Sequence, residues 1–217
     1  MGFYSDFIKK EKNMKLVLWI VGINVVIFII QNIVPGFTDA FVLNSDQVLS
    51  APWTLITSIF LHADVMHILF NMFALLIFGL ILENIIGSRR FIAIYFASGL
   101  LASIGSVFFY NSTLGASGAI FGVLGCLALL RPRMTVGVYF VPMPMVVAAG
   151  VWAVLDLVGV FYPSNVANIA HIIGLIIGIL FGLLLREKFS EKREKRKYPL
   201  REEEMDKWEN EYMIGYR

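Results

Sequence analysis

Apolar residues along the chain come in long unbroken runs, without the alternation of a half-buried strand or the narrow stripe of a soluble amphipathic helix. Runs close to the roughly 20 residues that span hydrocarbon occupy about 15–34, 65–86, 90–110, 115–131, 135–161 and 167–186. Short connections separate them, apart from one longer segment at 35–64. The pattern predicts an all-α polytopic membrane protein: six transmembrane helices in one bundle over 15–186, a short N-terminal segment at 1–14 and a charged tail at 187–217. The first run is too long for a signal-peptide core, and no small-residue cleavage site follows in "QNIVPGF", so it is expected to be a retained helix.

Composition agrees with that class. Hydrophobic residues make up 58% of the chain and charged residues 16%, against about 25% charged in soluble domains. The distribution of positive charge adds an orientation, because Lys and Arg near helix ends stay on the cytoplasmic side. Lys9, Lys10, Lys12 and Lys15 precede the first run, Arg89 and Arg90 lie between the second and third, and Arg131 and Arg133 between the fourth and fifth; every other Lys and Arg falls from Arg186 onward. Both termini are therefore expected in the cytoplasm, with loops 35–64, 111–114 and 162–166 outside. The lipid bilayer is the expected environment, and no nucleic-acid partner is expected. With Cys126 the sole cysteine, no disulfide forms within the chain.

Against this apolar background the polar residues inside the runs are informative, since such groups are costly in a bilayer unless paired or facing the bundle. Ser117 lies 14 residues before Arg131 and His171 lies 15 before Arg186. Both are therefore roughly 21–23 Å above the inner boundary at 1.5 Å per residue. Gly118 and Gly122 beside Ser117, and Gly174, Gly178 and Gly182 after His171, repeat at four-residue steps that let membrane helices approach closely. Equal depth and facing glycine stripes bring a serine hydroxyl within reach of an imidazole base. His67 and Asn71 share one face of the second run, and an Asn side chain is a known type of donor to the oxyanion of acyl transfer.

Other chemistries fit less well. His62, His67 and His171 are considered as a metal set, but His62 and His67 are five apart, no HExxH is present and no carboxylate accompanies them. No metal or cofactor is expected. Of the two carboxylates within the runs, Glu83 lies near the inner end of the second and Asp156 near the outer end of the fifth. Nothing in the sequence fixes Asp156 beside His171, and both carboxylates are read as structural. Cys126 is too deep to act with His171.

These residues resemble the rhomboid intramembrane serine proteases. The resemblance rests on "HADVMHILFN" (His62, His67, Asn71), "GASG" (Gly115, Ser117, Gly118) and "AHIIGLIIG" (His171, Gly174, Gly178), which stand in family order in the second, fourth and sixth runs. It implies a serine endopeptidase that cuts other, single-span membrane proteins in or beside their transmembrane segments, with a Ser–His dyad, no cofactor and an active site open toward the outer face. Carried over by position, Ser117 is the nucleophile and His171 the general base and then acid, while His67, Asn71 and the Ser117 amide form the oxyanion hole. His62 matches the family's structural histidine, and Phe121 falls where rhomboids often place an aromatic against the catalytic histidine. The segment 35–64 resembles the family's half-submerged first loop, although Thr54 follows Trp53 in "PWTL" where many members carry arginine. A transporter is expected to show broken midplane helices or repeated halves, and neither is evident. A catalytically inactive rhomboid-like membrane-helix binder is the alternative, and it would lack Ser117 or His171.

Overall fold

The computed structural model describes residues 15–138, 141–162 and 166–189. The expected N-terminal segment 1–14, all of the tail beyond Phe189 and the middle of the last outer loop lie outside the described residues. Helix α1 (Leu16–Ile33) buries only Val17, Ile20 and Asn24. Its other faces are apolar and outward, as suits a helix touching lipid rather than water. After Pro35 and Gly36 the first loop is ordered as a chain of short elements: α2 (Phe37–Phe41), β1 (Leu43–Asn44), then α3 (Thr54–Thr57) running into a 3₁₀ turn at Ser58–Phe60.

The second run is a helix with an insertion. It starts as α4 (Val65–Ala74), where the Asp64 side chain accepts the His67 amide at 2.8 Å, a normal N-cap. It passes through a π turn at Leu75–Gly79 and finishes as α5 (Leu80–Ile86). Gly87, at φ +84°, makes the sharp turn into α6 (Ser88–Ser106). Strand β2 (Ser112–Thr113) pairs antiparallel with β1, so the first loop is stitched to the segment that leads into α7 (Ser117–Leu130). After β3 (Thr135–Val138) and β4 (Val141–Pro144) come α8 (Met145–Gly159) and α9 (Asn168–Phe189).

Two expectations need correction. The fifth run was expected to be helical from 135, but its first part is the β3–β4 hairpin, with Thr135 opposite Pro144 and Val138 opposite Val141. The reason is local: Pro142 and Pro144 lack amides for an α-helical ladder, and Thr135, Val136, Val138 and Val141 are β-branched. The helix begins directly after Pro144. The two small sheets also mean that the described chain is mostly helical rather than all-α. Among the described residues, three helical stretches are long and apolar enough to cross a membrane: Leu16–Ile33, Val65–Ile86 and Asn168–Phe189. Helices α7 and α8 are shorter apolar helices, and α6 carries Arg89 and Arg90 in its first turn.

The core is built around α7, buried along nearly its whole length from Gly118 to Leu130. It is packed chiefly by α9 and α6. Close approach to α9 follows from glycine on both sides: a Cβ at Gly174 would land on the Gly118 carbonyl, and one at Gly178 on the Gly122 carbonyl. Since 118 meets 174 and 122 meets 178, the two helices run parallel. Their ends toward Arg131 and Phe189 are tied by Arg131, which donates to the Phe189 carbonyl, and by the Arg90 guanidinium, 5.1 Å above the Phe189 ring. At the same end Glu83 accepts the Leu16 and Val17 amides at 2.9 and 3.2 Å and the Ser88 hydroxyl. It satisfies orphan donors at the start of α1 and places a negative charge at the positive end of that helix.

Candidate active site

Ser117 is the first residue of α7, and its placement begins one turn upstream. Gly115 has φ +126°, its amide donates to the Ser58 carbonyl at 2.9 Å, and a Cβ on it would stand 2.9 Å from Cε1 and Nε2 of His67. Both the backbone conformation and the space admit glycine alone. The result is a tight loop that turns the Ser117 side chain toward α9.

His171 lies in the first turn of α9. That turn is anchored by the Ile169 amide, which donates to the Tyr110 hydroxyl at 3.0 Å. The imidazole Nε2 is 2.8 Å from Ser117 Oγ. Its ring is stacked on Phe121, with centroids 4.4 Å apart and planes within 10°. Its Nδ1 is 3.0 Å from Asp156 Oδ1. The structure thus brings together Ser117, His171 and Phe121 among the residues singled out in the sequence, and adds Asp156, which the sequence does not fix beside His171 and for which a structural role is expected. Equal nearness of Asp156 and His171 to the last outer loop was the available signal, but depth alone does not tell which neighbour a helix face meets.

His67 and Asn71 both rise from α4. The Ala63 amide donates to His67 Nδ1 at 3.3 Å, so in the neutral ring the hydrogen is on Nε2, the nitrogen that lies against Gly115. Asn71 stands a turn deeper, where Nδ2 donates to the His67 carbonyl at 2.9 Å; it makes no hydrogen bond to Ser117 or His171. His62 is buried, with its ring edge-on to His67 at 5.1 Å. Its backbone pairs with the Gln31 side chain in both directions, through His62 N to Oε1 at 3.0 Å and Nε2 to His62 O at 3.3 Å. Burial, and secondarily the neighbouring His67, pushes the His62 pKa down to about 4, so it is neutral and joins the first loop to α1.

Thr54, where the family pattern has arginine, is buried, and its hydroxyl donates to the Ala51 carbonyl at 2.7 Å. The loop is held instead by the β1–β2 pairing and by Thr57 Oγ1, which donates to the Phe41 carbonyl at 2.9 Å. Beside Ser117 is a small cavity with Gly99, Ala102, Ser103, Ser106, Gly118 and Ala170 in its wall. Among the described residues no cluster of His, Cys, Asp and Glu suited to a metal ion occurs. A hydroxyl beside an imidazole base, a histidine N–H beside the Gly115 turn and a small cavity at Ser117 can together support acyl transfer.

The Rhomboid domain family matches over residues 49–188. The chain is 40% identical over 131 residues to the Rhomboid protease GluP of Bacillus subtilis, covering 57% of this chain and 24% of that protein. It is 30% identical over 159 residues to the mitochondrial Rhomboid protein 1 of Saccharomyces cerevisiae, covering 69% and 44%. The match to Rhomboid-like protease 1 of Toxoplasma gondii is 40% over 76 residues, covering 34% and 26%. The chain therefore spans less than half the length of these curated relatives.

Proposed function

Since the chain belongs to the rhomboid family and is an integral, multi-pass membrane protein, we propose that it is an intramembrane serine endopeptidase that cuts single-span membrane proteins near the outer end of their transmembrane segments. The observation that carries the reading is the 2.8 Å contact from Ser117 Oγ to His171 Nε2, within the stretch that the Rhomboid domain family matches. Ser117 attacks the scissile carbonyl as His171 takes its proton. The tetrahedral oxyanion is met by the Ser117 amide, which as a first-turn amide has no helical acceptor, and by His67 Nε2–H, with Asn71 behind it. His171 returns the proton to the leaving amine, and a water then repeats the sequence on the acyl-enzyme.

The same reading gives the remaining topology. Helices α6, α7 and α8 complete six spans with α1, the α4–α5 helix and α9, and the ends that carry Arg90, Arg131 and Arg186 face the cytoplasm with both termini. The chain divides into a protease domain at 15–186, a segment at 1–14 and a tail at 187–217.

The test is labelling by a fluorophosphonate in membranes, together with cleavage of a model single-span substrate. Label and product that both disappear in Ser117→Ala support the reading. Binding of the substrate with neither label nor cleavage in the wild type would favour an inactive membrane-helix binder instead.

A further inference from the structure

Among the described residues two carboxylates are buried among the helices, Glu83 and Asp156, and their surroundings differ. Glu83 has two backbone amides and a hydroxyl as donors, and the closure of α1 onto the α5–α6 turn accounts for it. Asp156, on α8, has the His171 imidazole as its hydrogen-bond partner, and its second oxygen, Oδ2, is buried without one among the described residues. An incompletely satisfied carboxylate at this depth is destabilising, and packing alone favours an apolar residue there, like its neighbours Leu155 and Leu157. Its one evident use is what it does to His171.

We propose that Asp156 is a positioning residue: it holds His171 in the tautomer that can act as a base, and it balances the positive charge that the ring acquires. The proposal rests on the Ser117–His171 reading above. Two contacts fix the ring, and they do different things. Phe121 stacks on its face, which sets the plane but does not distinguish one nitrogen from the other. A carboxylate only accepts, so the 3.0 Å contact to Oδ1 places the hydrogen on Nδ1 and leaves the Nε2 lone pair toward Ser117 Oγ. During attack the Ser117 O–H bond breaks and its proton goes to Nε2. The Oγ–carbon bond forms, and the carbonyl π pair moves to the oxygen. Asp156 takes no proton and remains the counter-charge to the imidazolium.

The fold holds this pair in register. Asp156 is three residues before the end of α8, where a Cβ on Gly159 would stand 2.7 Å from the Asn168 side chain. Asn168 opens α9 three residues before His171. One close contact between the end of α8 and the start of α9 therefore sets the distance between carboxylate and imidazole.

The experiment uses the full chain in detergent and in liposomes, with Asp156→Asn, Asp156→Ala and Asp156→Glu beside a Ser117→Ala control. Both kcat and KM are measured on a quenched single-span substrate. Histidine ¹⁵N spectra are recorded in parallel; the chain has three histidines, so the His171 signal is assigned by its loss in His171→Ala. Asn and Ala are expected to lower kcat by roughly 10²–10⁴-fold with KM within about twofold of wild type, Glu to recover part of the loss, and the Nδ1–H signal of His171 to be lost or mixed in Ala. Asn is nearly isosteric and carries the kinetic test if Ala unfolds. Asn and Ala variants within about threefold of wild-type kcat, with Ser117→Ala inactive, would overturn the proposal, as would an unchanged His171 tautomer in Ala. Continued cleavage by Ser117→Ala would instead overturn the underlying nucleophile assignment, while the tautomer spectra would still decide the role of Asp156.

Discussion

A serine hydroxyl is a weak nucleophile until a base is placed to receive its proton, and here the proposed base, His171, sits 54 residues along the chain from Ser117. Replacing either partner with alanine, Ser117→Ala or His171→Ala, is expected to remove cleavage of a single-span substrate, a loss of at least roughly 10³-fold, without unfolding the protein in detergent. His67→Ala is expected to slow turnover by roughly 10²–10³-fold while Ser117 still reacts with a fluorophosphonate; Asn71→Ala, which lacks a contact to Ser117, should cost less. A different role shows in His62. Its pKa is about 4 in the folded chain and about 6.5 unfolded, so the unfolded state binds the extra proton between those values. Its contribution is therefore complete above about pH 6.5 and is lost as the pH falls toward 4, by up to about 3 kcal/mol. Thermal unfolding across that range should show a slope that flattens in His62→Gln, and equal slopes would exclude it. The pairing of Ser117 with His171 was legible in the sequence because two parallel helices crossing at glycine keep equal counts at equal depth. Asp156 was not, because its place near the outer end of its run gives a depth but not the helix that its face meets, and the 3.0 Å contact to His171 depends on that face.

At the scale of elements, the places where sequence patterning was a poor guide are those where hydrophobicity is the same in either conformation. The segment 135–144 is as apolar as a helix end, and its two prolines are what make it a hairpin. The π turn at Leu75–Gly79 has no hydrophobic signature, since it adds a residue within a run that is apolar throughout. The glycine contact is the opposite case, legible because spacing alone carries it. Gly174→Val or Gly178→Val would drive a side chain into the α7 backbone, so both activity and the unfolding temperature are expected to fall, whereas Leu184→Val on the exposed face of α9 should leave both nearly unchanged. Free replacement of both glycines would mean that α9 packs through another face. The Glu83 cap is a second element-scale joint. Glu83→Ala leaves the first amides of α1 without their acceptor, a loss of about 2 kcal/mol, visible as faster hydrogen exchange at Leu16 and Val17, with a smaller effect for Glu83→Gln.

For the molecule as a whole, the proposed activity raises the question of how a site among apolar surfaces would reach a peptide bond in another membrane helix. Large apolar side chains cover the outward faces of α1, α4, α8 and α9, so under the proposed function a substrate helix would meet the protein laterally through lipid-like contacts. A helical substrate hides its carbonyls in i to i−4 hydrogen bonds, and Ser117 cannot attack one until a few residues have unwound. Unwinding in hydrocarbon leaves polar groups unpaired, so it is least unfavourable where water and protein donors are near. In the proposed topology that is the outer end, where Ser117, His67 and the ordered first loop lie. The cavity walled by Gly99, Ala102, Gly118 and Ala170 has room for a small side chain beside the nucleophile. Cleavage is therefore expected near the outer end of the substrate segment, next to small residues, and faster when Gly or Pro follows a little deeper. Gly lowers the unwinding penalty by about 1 kcal/mol per residue and Pro by about 3, or roughly fivefold and a hundredfold in rate if unwinding limits. A series of single-span substrates in which these residues are changed to Leu, with products located by mass spectrometry, decides the matter: equal rates throughout the series, or a cut at the cytoplasmic end, would show that the segment is not presented to Ser117 in this way.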